Sequence, residues 1–83
     1  MKILYFAWLR GKTGTNEESV APPASVTDVA GLIDWLKQLS PGHAEALADA
    51  SVVRCAVNQE FAQISDPVRP GDEIAFFPPV TGG

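Results

Sequence analysis

The sequence is poor in the residue types that build an independent active site. It has one cysteine and one histidine among 83 residues. A single cysteine cannot form an internal disulfide, which is typical of a protein in a reducing compartment. With His43 as the sole imidazole, neither a histidine-based metal cluster nor a Ser-His-Asp triad can be assembled. We therefore expect no bound metal and no independent catalytic centre.

Positive charge and long apolar runs are also scarce. Six basic residues stand against ten acidic ones, which gives a net charge of −4. Nucleic-acid binding depends on lysine and arginine to neutralise phosphates, so no nucleic-acid partner is expected. The first apolar run, 3–9, is too short to span a membrane and lacks a signal-peptide cleavage site. These absences favour a small cytoplasmic protein with no membrane partner.

The two residues most often used as nucleophile or base have structural explanations here. His43 follows a Ser-Pro-Gly segment, and we expect it to lie at the surface without a role. Cys55 shares an apolar strand face with two valines, and burial in such surroundings leaves a thiol inert. The acidic residues are dispersed, and nothing in the sequence brings two of them together for acid–base chemistry.

Apolar spacing and turn residues predict one main helix among several short strands. The predicted elements are, in order, a strand over 2–9, a turn over 10–15, a strand over 16–21, a helix capped at Thr27 and ended by 40–42, a helical turn over 44–50, strands over 52–58 and 61–64, a type II turn over 69–72, and a strand over 73–77.

This order predicts an α+β fold of two layers, with a mixed sheet of about five strands and one main helix on one face. The first and last strands are the most apolar, so we expect them side by side and parallel at the centre. One helix covers one face, which leaves the other face, with several aromatic residues, bare or reserved for a partner. We expect a domain over 1–77 and an extended tail over 78–83.

The tail ends in two glycines after a stiff, apolar approach. It consists of Pro78, Pro79, Val80, Thr81, Gly82 and Gly83. Extended, these residues span up to about 20 Å, enough to carry the terminal carboxylate into another protein's active site. Elimination of His43, Cys55 and the acidic residues leaves this carboxylate as the candidate reacting group. Its activation to an acyl-adenylate requires a helper enzyme that uses ATP, since we expect this chain to bind no cofactor.

The tail and two further segments resemble a known family. The strongest match is Gly71-Asp72-Glu73-Ile74-Ala75-Phe76-Phe77-Pro78-Pro79-Val80-Thr81-Gly82-Gly83, supported by Phe6-Ala7-Trp8-Leu9-Arg10 and Ala56-Val57-Asn58-Gln59. Over its whole length the chain resembles the ubiquitin-like β-grasp sulfur carriers, and more narrowly the small subunits of molybdopterin synthase.

The resemblance implies a chemistry and a set of partners. Gly83 would be adenylated by an enzyme related to ubiquitin-activating enzymes and converted to a thiocarboxylate by a sulfur donor system. The tail would then enter the large catalytic subunit of a heterotetramer and give its sulfur to a pterin precursor, forming the dithiolene of molybdopterin. The chain itself would be a sulfur-donating subunit without catalysis of its own. The resemblance places Phe6, Phe61 and Phe77 at the subunit interface.

Two alternatives stay open at this point. The chain could be a sulfur carrier of another pathway, such as thiamine thiazole synthesis or tRNA thiolation, although the approach 76–79 is not expected in those carriers. It could also be a ubiquitin-like modifier or interaction module, which would form an isopeptide bond to a target lysine and transfer no sulfur.

Overall fold

The computed structural model describes residues 1–79 and contains a mixed five-stranded sheet with short helices packed on it. In chain order the elements are β1 (Lys2–Tyr5), α1 (Trp8–Thr13), β2 (Glu17–Ser19), α2 (Val29–Leu36), α3 (Pro41–Ala46), a 3-10 turn (Ala50–Val52), β3 (Arg54–Val57), β4 (Glu60–Ala62) and β5 (Glu73–Phe77). Within the described residues no helix has the length and apolar character needed to cross a bilayer.

The sheet topology confirms the predicted two-layer α+β β-grasp fold. The strand order is β2-β1-β5-β3-β4. The first and last strands, β1 and β5, lie side by side at the centre and run parallel, whereas the other three pairings are antiparallel. The C-terminal strand therefore leaves the sheet from its middle, between β1 and β3.

One face of the central strand pair is buried under the helices. Tyr5 of β1 pairs in register with Phe76 of β5, and their rings stack with centroids 6.2 Å apart. Full burial of each of these two side chains stabilises the folded state by about 1.5–3 kcal/mol. The pair therefore supplies a large part of the stabilisation from a small core. The other large side chains that are fully buried are Ile3, Leu9, Val29, Leu32, Leu36 and Ile74.

Helix α2 is the predicted main helix, with both ends shifted. Asp28 is its N-cap, and the carboxylate accepts a hydrogen bond from the Gly31 N–H at 2.8 Å. The predicted cap, Thr27, is off by one residue, and its carbonyl instead accepts the Val68 N–H at 3.0 Å. The helix ends at Leu36, before the predicted boundary, because the apolar stripe that packs on the sheet ends there.

Strand β1 is shorter than predicted because the chain turns out of the sheet after Tyr5. Phe6 makes one more ladder bond, from its N–H to the Phe76 carbonyl at 3.0 Å. Ala7 then adopts φ 56° and ψ −134°, a backbone region that residues with a side chain rarely occupy. This conformation redirects the chain and ends the strand.

The residues after Ala7 form helix α1, where the sequence predicted the end of a strand and a turn. Gly14, with φ 82°, caps this helix, and its N–H donates to the Arg10 carbonyl at 2.9 Å. The helix has six residues and buries one of them, Leu9. So short an element has too little apolar periodicity to be recognised from the sequence.

His43 is buried, so the prediction of a surface position is wrong. Ser40 caps α3, and its hydroxyl oxygen accepts the His43 N–H at 3.1 Å and lies 2.7 Å from Nδ1. On the other side of the ring, Nε2 lies 2.7 Å from Glu18 Oε2, to which the Tyr5 hydroxyl also donates at 2.7 Å. This polar network joins α3, β2 and β1. The sequence signal for α3 is a serine cap followed by proline, which begins this helix.

Helices α1 and α3 approach closely at Gly42. A Cβ atom built on Gly42 would collide with the backbone carbonyl oxygen of Lys12. An ion pair between Lys12 Nζ and Glu45 Oε1, 2.6 Å apart, also joins the two helices. The absence of a side chain at residue 42 therefore sets the distance between α1 and α3.

The strand connections at the end of the sheet away from the tail are held by side-chain caps. Asn58 and Gln59, with φ of 51° and 70°, turn the chain between β3 and β4. Asn58 also accepts the Glu73 N–H and donates to Asp72, both at 3.0 Å. This bond from Asn58, with a second from the Arg69 N–H, lowers the pKa of Asp72 below its ordinary value. The predicted turn over 69–72 is confirmed, with Gly71 at φ 90°.

The contact between α1 and α3 leads to a stability prediction. Gly42→Ala should lower the free energy of unfolding by about 1–3 kcal/mol, because the new methyl group forces backbone apart. Gly11→Ala is the matched control, since a Cβ at this exposed helical position meets open space. It should be neutral or stabilising by up to about 1 kcal/mol. Urea denaturation of both variants measures the difference, and equal stability would contradict the packing described here.

The buried tyrosine makes stability depend on alkaline pH. Burial, and then the hydrogen bond and charge of Glu18, raise the pKa of Tyr5 far above its ordinary value. The unfolded chain loses this proton above pH 10 and the folded chain keeps it, so stability falls as the pH rises further. The stability advantage of wild type over Tyr5→Phe should be constant from pH 7 to about 9 and shrink by about 1.4 kcal/mol at pH 11. Denaturation curves of both proteins test this, and a constant difference up to pH 11 would contradict it.

Candidate functional site

The root of the C-terminal tail lies at the end of the central strand. β5 ends at Phe77, and Pro78 and Pro79 follow as half-buried, irregular residues. The remaining predicted site residues, Val80, Thr81, Gly82 and Gly83, lie outside the described residues, so the role of Gly83 stays a prediction. The fold thus places the start of the tail at a fixed point, between β1 and β3.

The face of the sheet opposite the helices is apolar and carries no helix of residues 1–79. Alternation along the strands puts Leu4, Ala56, Phe61, Ala75 and Phe77 on this face, and we call these five residues the open face. None of the five belongs to the hydrophobic core cluster. Phe61 is 86% exposed, which is unusual for a phenylalanine in a strand. The predicted bare face therefore exists.

Two of the three predicted interface residues are in contact on the open face. The ring centroids of Phe61 and Phe77 are 5.9 Å apart, although β3 lies between their strands. Ala56 of β3 pairs with Phe61, and its small side chain leaves room for the two rings to meet above it. Ala56 is buried as a result, with 8% exposure. The pair forms an aromatic platform next to the root of the tail.

The third predicted interface residue, Phe6, lies across β5 from this platform. It follows β1 and bonds to the Phe76 carbonyl through its N–H. Its side chain is 46% exposed. Trp8, at the start of α1, is 44% exposed and was not predicted as an interface residue. The turn at Ala7 leaves both aromatic side chains at the same end of the sheet as the tail.

The single thiol is placed where it has little reactivity. Cys55 is 6% exposed on the core side of β3, and its Sγ donates to the Ala62 carbonyl at 3.3 Å. Burial, and to a smaller extent the charge of Asp66, raise the pKa of the Cys55 thiol above its ordinary value. The thiol therefore stays protonated, which confirms the structural interpretation of this residue.

One cavity in residues 1–79 lies away from the tail. It has a volume of about 460 Å³ and is formed by the segment after β2 together with residues near the starts of β1 and β5. Its lining residues are Met1, Val20, Ala21, Pro22, Pro23, Ala24, Val26, Thr27, Val68 and Pro70. None of these side chains is an acid, a base or a thiol, so the cavity offers no catalytic group.

Comparison with known proteins finds similarity over nearly the whole length of this chain. The molybdopterin synthase sulfur carrier subunit of Escherichia coli is 41% identical over 83 residues, covering 100% of this chain and 99% of that protein. The crystal structure of SAMP1 of Haloferax volcanii superposes with a TM-score of 0.76 at 26% identity, covering 99% of this chain and 97% of that one.

A further structure with the same fold comes from a complex of two subunits. The structure of subunits 1 and 2 of the molybdopterin-converting factor of Helicobacter pylori contains a chain with the same fold, at a TM-score of 0.64 and 23% identity. The match covers 99% of this chain and 96% of that one. The model of the ThiS family matches residues 3–83, which include the tail. With this match and a curated relative aligned end to end, the chain belongs to the ThiS family.

Proposed function

We propose that this chain is the sulfur carrier subunit of a molybdopterin synthase. The observation that carries the proposal is the continuity of an uncovered apolar face with a tail that ends in Gly82-Gly83. Because β5 is central, Phe77 of the platform and the root of the tail are held by the same strand, and Phe61 contacts Phe77 from β4. A partner that covers the open face would receive the tail in a fixed position. The full-length similarity to the E. coli subunit of that name supports the same conclusion.

The chemistry takes place at the carboxylate of Gly83. One carboxylate oxygen attacks the α-phosphorus of ATP in the activating enzyme, which releases pyrophosphate and leaves an acyl-adenylate. Hydrosulfide delivered by the donor system then attacks the carbonyl carbon, AMP leaves with the adenylate oxygen and a proton is lost, so that a thiocarboxylate remains. Glycine suits this step because no β-carbon hinders attack, and two glycines allow the backbone to enter a narrow channel. ATP is a substrate of the activating enzyme in this scheme.

Delivery of the sulfur requires the large subunit. Residues 78–83 would act as a tail separate from the domain of 1–77 and extend into the large subunit's active site, where the thiocarboxylate gives its sulfur to a pterin precursor. A dithiolene holds two sulfur atoms, so each product molecule consumes two carriers in the thiocarboxylate form. A heterotetramer, which contains two carriers, suits this requirement. The complex of two subunits known for the H. pylori protein supports such a partner. We place this reaction in the cytoplasm, where the lone cysteine stays reduced.

Two other functions share the same tail. A carrier for another sulfur pathway would also form a thiocarboxylate but would transfer it to a different enzyme. A protein modifier would form an isopeptide bond from Gly83 to a target lysine, and the likeness to SAMP1, small archaeal modifier protein 1, makes this the second candidate.

The first test is of the reaction at the tail. Incubation with the activating enzyme, ATP and a sulfur donor should raise the intact mass of the chain by one oxygen-to-sulfur exchange. Fragmentation should place the change on Gly83, and a chain that lacks Gly83 should show no change. Intact-mass spectrometry is the measurement. A product linked to a lysine of another protein, with no sulfur gained, would instead establish the modifier.

The second test is of the open face. Phe61→Asp and Phe77→Asp should each weaken binding to the large subunit at least tenfold, because a charge then replaces an apolar contact in the interface. Ile64→Asp is the control, since Ile64 is also exposed, at 55%, and lies outside the open face. Co-purification and titration calorimetry give the affinities, and circular dichroism checks the fold.

The different exposure of the two phenylalanines distinguishes loss of binding from loss of folding. Phe61 is 86% exposed, so Phe61→Asp should stay folded. Normal binding by the folded Phe61→Asp variant would show that the open face is not the interface. Unfolding of Phe77→Asp alone would assign Phe77 to the stability of the sheet, since it is half-buried.

A further inference from the structure

Arg54 places a positive charge on the open-face side of the sheet beside the root of the tail. It pairs in register with Phe77, the last residue of β5. Its neighbour Cys55 is buried on the core side, so alternation along β3 directs Arg54 to the side of the open face, where it is exposed. The backbone of Arg54 therefore lies opposite the last residue of β5, after which the tail begins.

The charge of Arg54 has no acidic partner in residues 1–79. The ion pairs found there are Lys2–Glu17, Lys12–Glu45 and the contact of His43 with Glu18. The guanidinium instead makes one long contact, from Nη1 to the Ser51 carbonyl at 3.5 Å. In a chain with a net charge of −4, an arginine outside any ion pair beside an apolar face is available to a partner's carboxylate.

The opposite end of the same face carries carboxylates. Lys2 forms an ion pair with Glu17, with 3.1 Å between Nζ and Oε2, and lies in register with Glu73. Glu17 and Glu73 are thus strand acids at this end, and Lys2 is paired with the first of them. Four residue steps along β5 separate Glu73 from Phe77, a distance of about 13 Å. The strand side chains on this side of the sheet are therefore apolar in the middle, with carboxylates at the acidic end where β5 starts and an arginine where the tail starts.

This distribution of charge can fix the docking orientation, which apolar contacts alone do not. Apolar burial has little directional preference, so the five apolar residues of the open face permit more than one docking orientation. The tail can enter a channel in only one of them. Charges across an interface fix its register and exclude wrong orientations. A carboxylate of the partner beside its channel entrance would attract Arg54 and repel the acidic end of the face.

We propose that Arg54 determines the docking orientation by pairing with a carboxylate of the large subunit next to the entrance of the tail channel. The inference rests on the proposed function, and it adds a specificity-determining residue and the chemistry of the partner surface. The partner that fits has an apolar patch with an acidic group on the side where the tail enters.

The test compares two charge reversals at opposite ends of β5. Arg54→Glu should weaken binding to the intact large subunit about tenfold or more at low salt, and the effect should shrink at high salt because exposed charges are screened. Arg69→Glu makes the same change of charge in the turn before β5, and its affinity should stay within about twofold of wild type. Biolayer interferometry at two salt concentrations gives the affinities, and Arg54→Gln should fall between wild type and Arg54→Glu.

A charge swap completes the test. Reversal of one surface acid beside the large subunit's channel to arginine should restore binding of Arg54→Glu and weaken that of wild type. Equal affinities for Arg54→Glu and Arg69→Glu, both folded, would overturn the inference and leave the proposed function intact. Failure of the wild-type chain to bind the large subunit would overturn the proposed function and this inference together. Should Arg54→Glu unfold, the same comparison between Arg54→Gln and Arg69→Gln decides.

Discussion

The parallel pairing of β1 with β5 is the constraint on which the rest of the structure depends. It joins the two ends of the described chain at the centre of the sheet and stacks Tyr5 on Phe76 within the core. Because successive residues of a strand point to opposite faces, burial of Phe76 on the helix side leaves Phe77 on the open side. The next residue starts the tail. One pairing thus determines the core, the docking face and the exit point of the tail.

The helices pack on one face of the sheet and leave the other face uncovered. The network of Tyr5, Glu18, His43 and Ser40 fastens α3 to the first two strands. Gly42 lets α1 pack closely on α3. These contacts close the core with short helices and little chain length, which matters in a protein of 83 residues. No helix of residues 1–79 is left to cover the second face, so that face is free for a partner.

Two physical properties of the open face have different roles in the proposed function. Its apolar middle, with Phe61 and Phe77 in contact, would contribute binding free energy, because a partner that covers it removes apolar surface from water. Its charged ends, with Arg54 near the tail and the acidic group near the start of β5, supply direction. In the proposed complex, affinity and orientation are therefore carried by different residues. This separation explains how a small face could serve a reaction that requires a terminal carboxylate to be placed accurately.

Elements with strong local signals, and the candidate chemistry, are predictable from the sequence. The β-prone run before Pro78, the Pro-Gly turn over 69–72 and the apolar stripe of α2 depend on nearby residues, and elimination and resemblance point to Gly83. The end of β1 is not predictable in this way, because the six-residue α1 that follows Ala7 depends on packing against α3. Only the tertiary structure decides that His43 is buried, since its partner Glu18 is 25 residues away along the chain. The same holds for Arg54, whose position beside the tail follows from strand register, a long-range property that no local pattern encodes.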